Sequence, residues 1–236
     1  MVVSAEVEAI SEGEVPVEAG KGLQLTAEER EQIALAVRAA EQHTTAEIVP
    51  MIVERSGLYR ETQHRVGLGL ALVILTGLLT FDMLWLPWGW HASNAAWLLL
   101  PTVLAYGAGA WLGTLPLIIR QLTSAERMRH KVKLRAERAF AHHALAQTRE
   151  RTGVLIMVSL LEHQMYVLPD NPLFQRIPMD RWSGVVQAGI GRLQAGDIVS
   201  GLCQAIQACG LLLTEISPGC PDDNPNELPN ELVQEP

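Results

Sequence analysis

The side chains able to do chemistry in this sequence are few and scattered. Glu162 and His163 stand together between two apolar runs, and Asp170, Asn171 and Asp180 border a proline-containing stretch a few residues later. Glu162, Asp170 and Asp180 are the candidate metal-binding carboxylates, but a hard cation such as calcium takes six or more oxygens, and a turn accounts for the same residues through local side-chain hydrogen bonds. Glu162 with His163 could serve acid/base chemistry, yet no nucleophile stands at a recognisable spacing from them. His142 and His143 are adjacent, about 100° apart on a helix, and are expected at a solvated helix end rather than on one metal as an i, i+4 pair would be. Cys203 and Cys209 lie on different sides of an expected helix and Cys220 sits alone in a Pro-Gly stretch, so free thiols are expected. There is no glycine-rich phosphate loop. The expectation is a chain with no catalytic residues, no metal and no cofactor, calcium being the one ion to consider.

The strongest pattern is apolar. Val66 to Leu86 and Ala95 to Ile119 are two long runs with almost no charge, and a bilayer core of about 30 Å needs about 20 apolar residues of helix. Read as membrane spans 66–86 and 95–119, they form a hairpin whose turn, Pro87 to Asn94, carries no Lys or Arg. Trp85, Trp88, Trp90 and Trp97 gather at that turn, as amphipathic rings do at a headgroup boundary. Arg55, Arg60 and Arg65 precede the hairpin and Arg120, Arg127, Arg129, Lys131, Lys133 and Arg135 follow it. That asymmetry puts both flanks and both termini on the cytoplasmic side, with Arg65 and Arg120 at the inner interface.

Inside the spans, Ala105, Gly109 and Gly113 recur every four positions, the spacing that lets a second helix approach closely. That helix is the first span through Gly69 or Gly77, or a second copy of the chain. Asp82 is the sole acid in either run, and lies about 24 Å along the helix from Val66, which makes it an interface residue before a proton or ion site. Pro101 and Pro116 are candidate kinks in the second span.

The net charge of −8 belongs to the ends: residues 1–20 hold five acids and no base, residues 217–236 another five, leaving 18 bases against 16 acids between them. Residues 1–22 and 217–236 read as disordered acidic tails. The basic face of Arg127, Lys131 and Arg135 begins so close to a span that anionic lipid is its expected partner, and nucleic acid is not.

Thr26 opens a helix with a capping box to Glu29. Glu47 to Glu54 reads as a strand buried on both faces, with an edge or bulge at Pro50. After the hairpin come a helix from Thr123 or Ser124 to about Ala146, a β-hairpin of Gly153 to Leu161 and Gln164 to Leu168, a helix over Pro178 to Leu193 and a last helix capped by Asp197 reaching about Ile216. Helices on both sides of a small mixed sheet are the natural packing. The domain is thus split, 23–58 and 120–216, around the inserted residues 66–119.

The segments LTAEEREQIALAVRAAEQHTTAEIVPMIV and RAERAFAHHALAQTRERTGVLIMVSLLEHQMYVL, with PMDRW after them, resemble the TPM domain, named for thylakoid-lumen, photosystem-repair and acetylcholine-receptor-modulator proteins. The chain is most similar to bacterial membrane proteins in which that domain is split by a transmembrane hairpin. The resemblance implies an α/β fold, a small α/β/α sandwich with a mixed central sheet, in an integral protein of the bacterial inner membrane. It implies an interaction, assembly or maintenance factor for membrane protein complexes, partnered by the bilayer and by another membrane protein or itself. Some members are calcium-binding acid phosphatases, so a membrane-bound metal-dependent phosphatase is the alternative. Two departures favour the non-catalytic reading: Gly20 to Gln24 lack the family's paired aspartates, and Arg149 to Thr152 stand where polar asparagines are usual.

Overall fold

The computed structural model describes residues 25–85, 94–143, 152–219 and 231–235. In chain order the elements are α1 (Ala27–Glu41), β1 (Ile48–Val53), α2 (Arg60–Trp85), α3 (Asn94–Leu112), α4 (Pro116–Leu122), α5 (Ala125–His142), β2 (Val154–Ser159), β3 (Gln164–Pro169), α6 (Asn171–Arg176), α7 (Met179–Gln194), α8 (Ile198–Ile216) and β4 (Val233–Glu235). They divide into two compact units, one of residues Met1–Gly57 and Met128–Pro236, the other of Leu58–Arg127.

The first unit is built on a four-stranded mixed sheet in the order β3-β2-β1-β4. β1 runs parallel to β2, Ile48 opposite Val154 through Val53 opposite Ser159, and β2 runs antiparallel to β3. All six residues of β1 and all six of β2 are buried, because each alternates between two cores. Ile48, Ile52, Val154, Ile156 and Val158 meet the helices α1, α7 and α8, whereas Val49, Met51, Val53, Leu155 and Met157 meet Val132, Ala136 and Ala139 of α5. The apolar, β-branched composition of β1 and β2 is what a sheet covered on both faces requires. Trp182 of α7 is fully buried in the larger core.

Local signals explain the helix ends. Thr26 Oγ1 accepts from the Glu29 amide at 3.2 Å while Glu29 Oε2 accepts from the Thr26 amide at 2.7 Å, the reciprocal cap expected there. Asp197 Oδ1 accepts from the Ser200 amide at 3.1 Å and starts α8. α7 and α8 approach through Gly189 and Gly201, where a Cβ on Gly201 would stand 2.8 Å from the Gly189 carbonyl oxygen.

Three parts differ from the sequence reading. The stretch after Asp170 is not an open loop: Asp170 caps a short helix, α6, with Pro172 in its first turn. The helix expected to reach Ala146 ends at His142, and residues 144–151 lie outside the described residues. Within the expected disordered tail 217–236, residues 233–235 form β4, parallel to β1 with Val233 opposite Met51 and Glu235 opposite Val53. Three residues are too few for a compositional signal, and the open edge of β1 supplies the partner groups. β4 pairs only from Met51 onward, so Pro50, which has no amide proton to donate, sits where that side of β1 has no neighbouring strand among the described residues.

Hydrogen bonds from the Ser200 side chain and amide hold the Asp197 carboxyl below the usual carboxylate range, with the Arg192 charge a smaller cause. Asp197→Ala should lower the unfolding free energy by about 1 kcal/mol, and Asp197→Asn by much less. Because the folded-state pKa is depressed, this contribution is complete above the ordinary carboxylate range and is lost as pH falls through the folded value. Denaturant unfolding should therefore separate wild type from Asp197→Ala most at neutral pH and narrow the gap in acid, the remainder being the cap that a neutral carboxyl still makes.

Candidate functional site

In the second unit, α2 and α3 pack antiparallel through the small residues of α3. A Cβ on Gly109 would stand 2.8 Å from Gly67 Cα, and one on Gly113 would stand 2.7 Å from Gln63 Cα. Gly69 and Gly77, the expected partners on α2, face open space; Gly67 holds that position instead. Ala105 is half-buried. At one end His64 Nδ1 and Tyr106 Oη share a hydrogen bond of 2.8 Å, and the Thr62 and Thr123 hydroxyls lie 3.2 Å apart.

The outer faces of the pair are apolar and bare. Leu72, Val73, Leu100, Val103, Leu104 and Trp111 are all more than half exposed, and Trp97 is 79% exposed. The 21 residues Arg60–Thr80 are long and apolar enough to cross a membrane, as is α8. The two differ in what covers them: the apolar residues of α8 are spent on the core of the first unit, those of α2 are not.

The run 95–119 is not one straight helix. α3 ends at Leu112 and α4 leaves at 91° after a short break. Pro116 forces this, since it has no amide proton and confines Leu115 to an extended conformation, φ −68° and ψ 133°. Pro101, by contrast, lies inside α3, which continues through it. Arg65 is exposed and lies 3.9 Å from Glu61, which Arg127 meets at 3.1 Å; Arg120 is half-buried in the last turn of α4. Trp88 and Trp90 lie outside the described residues, as do the side chains of Asp82 and Trp85.

In the first unit the three candidate carboxylates are not brought together. Glu162 lies in the turn before β3 and Asp170 just after that strand, and six residues of strand span about 20 Å. Glu162 is buried and engaged: it accepts from the Ser56 amide at 3.1 Å and from the Ser159 hydroxyl, while Ser56 Oγ donates to Ser159 Oγ at 2.8 Å. Asp170 Oδ1 accepts from the Asn171 amide at 2.7 Å, and Asp180 is exposed in the first turn of α7. His163, at φ 49°, completes the tight turn between β2 and β3. These are the roles of structural turns and caps.

Cys203 and Cys209 are buried free thiols on α8. Burial pushes both thiols up in pKa, that of Cys209 strongly, and Asp197 adds to the effect at Cys203. Cys220 lies outside the described residues.

A grouping that spacing arguments missed involves β4. Gln234 Oε1 accepts from Arg30 at 2.6 Å, and Glu235 Oε2 pairs with Arg135 at 2.7 Å. The other Glu235 oxygen, Oε1, lies 3.7 Å from His143 Nε2, and His142 adjoins them, so ligand atoms of His142, His143 and Glu235 all lie within 4.8 Å of one another. His142 is the last residue of α5 and His143 follows it with its amide still bonded to the Ala139 carbonyl at 2.9 Å, yet the two rings lie edge to face with centroids 5.1 Å apart. No sequence signal could have found this, since Glu235 is brought in by a strand of three residues.

No protein-family model and no curated protein sequence matches this chain. A solved structure does: the NMR structure of BA42 protein from the psychrophilic bacterium Bizionia argentinensis sp. nov. aligns with 89% of this chain and 95% of its own, at 20% identity and a TM-score of 0.54. At that identity the likeness is one of fold.

The close approaches at Gly109 and Gly113 separate them from Gly69, Gly77 and Gly107, which have open space. Gly113→Val should overpack α2 against α3 and cost about 1–3 kcal/mol, whereas Gly77→Val, with nothing near its Cβ, should be tolerated. Thermal unfolding in detergent compares the two; equal losses at both positions would contradict the packing described.

Proposed function

We propose that this chain is a membrane-anchored protein of the TPM-domain type, held in the bacterial inner membrane by two spans with both termini cytoplasmic. In this reading it serves as a non-catalytic interaction, assembly or maintenance factor for membrane protein complexes. The observation that carries the reading is the bare apolar surface of α2 and α3, since water would leave such a surface to aggregate. At 1.5 Å per residue the 26 residues of α2 extend about 39 Å and the 19 of α3 about 28 Å, against a hydrocarbon core of about 30 Å. α4, turned 91° from α3 and carrying exposed Leu117 with Arg120, suits a helix lying in the inner headgroup plane. The arginines and lysines flanking the pair set the orientation.

Support for the non-catalytic half comes from the candidate acids. Glu162, Asp170 and Asp180 serve a buried turn, a helix cap and an exposed first turn, and do not converge as a phosphatase metal site needs. A membrane-impermeant thiol reagent applied to intact and permeabilised cells tests the anchoring and its sense, and Cys220 is the residue expected to react because Cys203 and Cys209 are buried. Labelling only after permeabilisation, from a protein that resists alkaline extraction of membranes, is the expected result; labelling in intact cells overturns the orientation. Crosslinking in native membranes should recover a specific membrane-protein partner, and purified protein should stay inert toward phosphate esters with calcium or magnesium. Hydrolysis lost in Asp170→Ala and Asp180→Ala variants would establish the phosphatase alternative instead.

A further inference from the structure

The histidines at the end of α5 and the acid at the end of β4 do not take part in the function proposed above, and their chemistry points elsewhere. Two imidazoles and one carboxylate make a nitrogen-rich set of three, the composition that zinc and its first-row neighbours take with a position left open. Calcium or magnesium would need several more oxygens. The ligand atoms lie within 4.8 Å of one another, and the His143 Nε2 to Glu235 Oε1 edge is 3.7 Å. A tetrahedral metal about 2.1 Å from each ligand would hold them about 3.4 Å apart, so the His143–Glu235 edge must close by a few tenths of an ångström and the others by up to about 1.4 Å, within reach of a rotation of the exposed His142 ring.

Two further features single the cluster out. His143 Nε2 is shut off from solvent and makes no hydrogen bond among the described residues, the 3.7 Å to Glu235 being too long for one. Glu235 is itself aimed: Arg135 takes Oε2 at 2.7 Å and leaves Oε1 toward the imidazoles, as an outer partner orients a ligating carboxylate. The Arg135 charge opposes a nearby cation and limits the affinity to what the two imidazoles and Oε1 supply. His142 is exposed and gives the ion a way in.

We infer that His142, His143 and Glu235 form a site for a first-row divalent cation of the zinc class, which fastens β4 to the end of α5. The consequence is mechanical. β4 is three residues long, and its ties include the Glu54 amide to the Glu235 carbonyl at 3.3 Å, Arg30 to Gln234, Arg135 to Glu235, the ladder with β1 and the packing of Val233 on the α5 side of the sheet. A strand so short gains from each added tie, and a metal joining it to α5 would fasten the edge further. The inference concerns only the sheet-containing unit and stands whether or not the chain is anchored in a membrane.

The test uses the full-length protein in detergent, stripped with a chelator and titrated with Co²⁺ followed by Zn²⁺ competition. One metal per chain is expected, with a cobalt spectrum lacking the thiolate charge-transfer band that ligation by a cysteine would add. A His142→Asn/His143→Asn double variant should bind at least about 10-fold more weakly, as should Glu235→Gln. Zn²⁺ should slow amide hydrogen exchange over residues 233–235 in the wild type and not in the double variant. Since Glu235→Gln also breaks the Arg135 pair and could release β4 by itself, the double-histidine variant decides. Wild-type affinity in that variant, a thiolate spectrum, or no stoichiometric binding at micromolar metal would overturn the inference.

Discussion

The parallel pairing of β1 with β2 is the constraint on which the rest of the sheet-containing unit depends. It joins residues about a hundred positions apart in sequence, so its loop-closure cost must be met by burial, and both strands are buried on both faces. Each strand can satisfy that only if helices cover the sheet twice. α1, α7 and α8 build the larger core on one side, and the narrow stripe Val132, Ala136, Ala139 of α5 closes the other. The two ends of the chain that leave and re-enter this unit meet beside the ladder, where a Cβ on Gly57 would stand 2.9 Å from Lys131 Cδ.

The end of that ladder is finished by polar groups. Ser56 follows β1, Ser159 ends β2 and Glu162 lies in the turn to β3; their mutual hydrogen bonds satisfy a carboxylate that burial would otherwise penalise heavily. A buried acid in a turn invites a functional reading from sequence, and its partners show why it is there. At the opposite edge of the sheet, Arg30 and Arg135 hold the polar side chains of β4 while that strand covers part of the open edge of β1.

The unit of α2, α3 and α4 follows a different logic. Small residues decide its internal packing, because Gly67, Gly109 and Gly113 let two backbones approach where any side chain would intrude. The bulk of its leucines, valines and tryptophans then points outward, the inverse of the sheet-containing unit, whose large apolar side chains are almost all inside. Two units of one chain thus treat the same residue types in opposite ways.

The sequence by itself determined the elements with strong local or periodic signals. The Thr26 capping box, the Asp197 cap, the doubly buried strands, the tight turn between β2 and β3, and the long apolar helices each follow from residues within a few positions of one another. Only the tertiary structure decided the rest. The 91° turn at Pro116 was legible as a kink but not as an end, because a proline marks where a helix is interrupted and not the angle at which the chain resumes. The choice of Gly67 over Gly69 or Gly77 is a matter of helix phase, which spacing on one helix leaves open. β4 and the meeting of His142, His143 and Glu235 were invisible for the deepest reason: three residues carry no periodicity, and what holds them is the edge of a strand almost two hundred positions earlier in the chain.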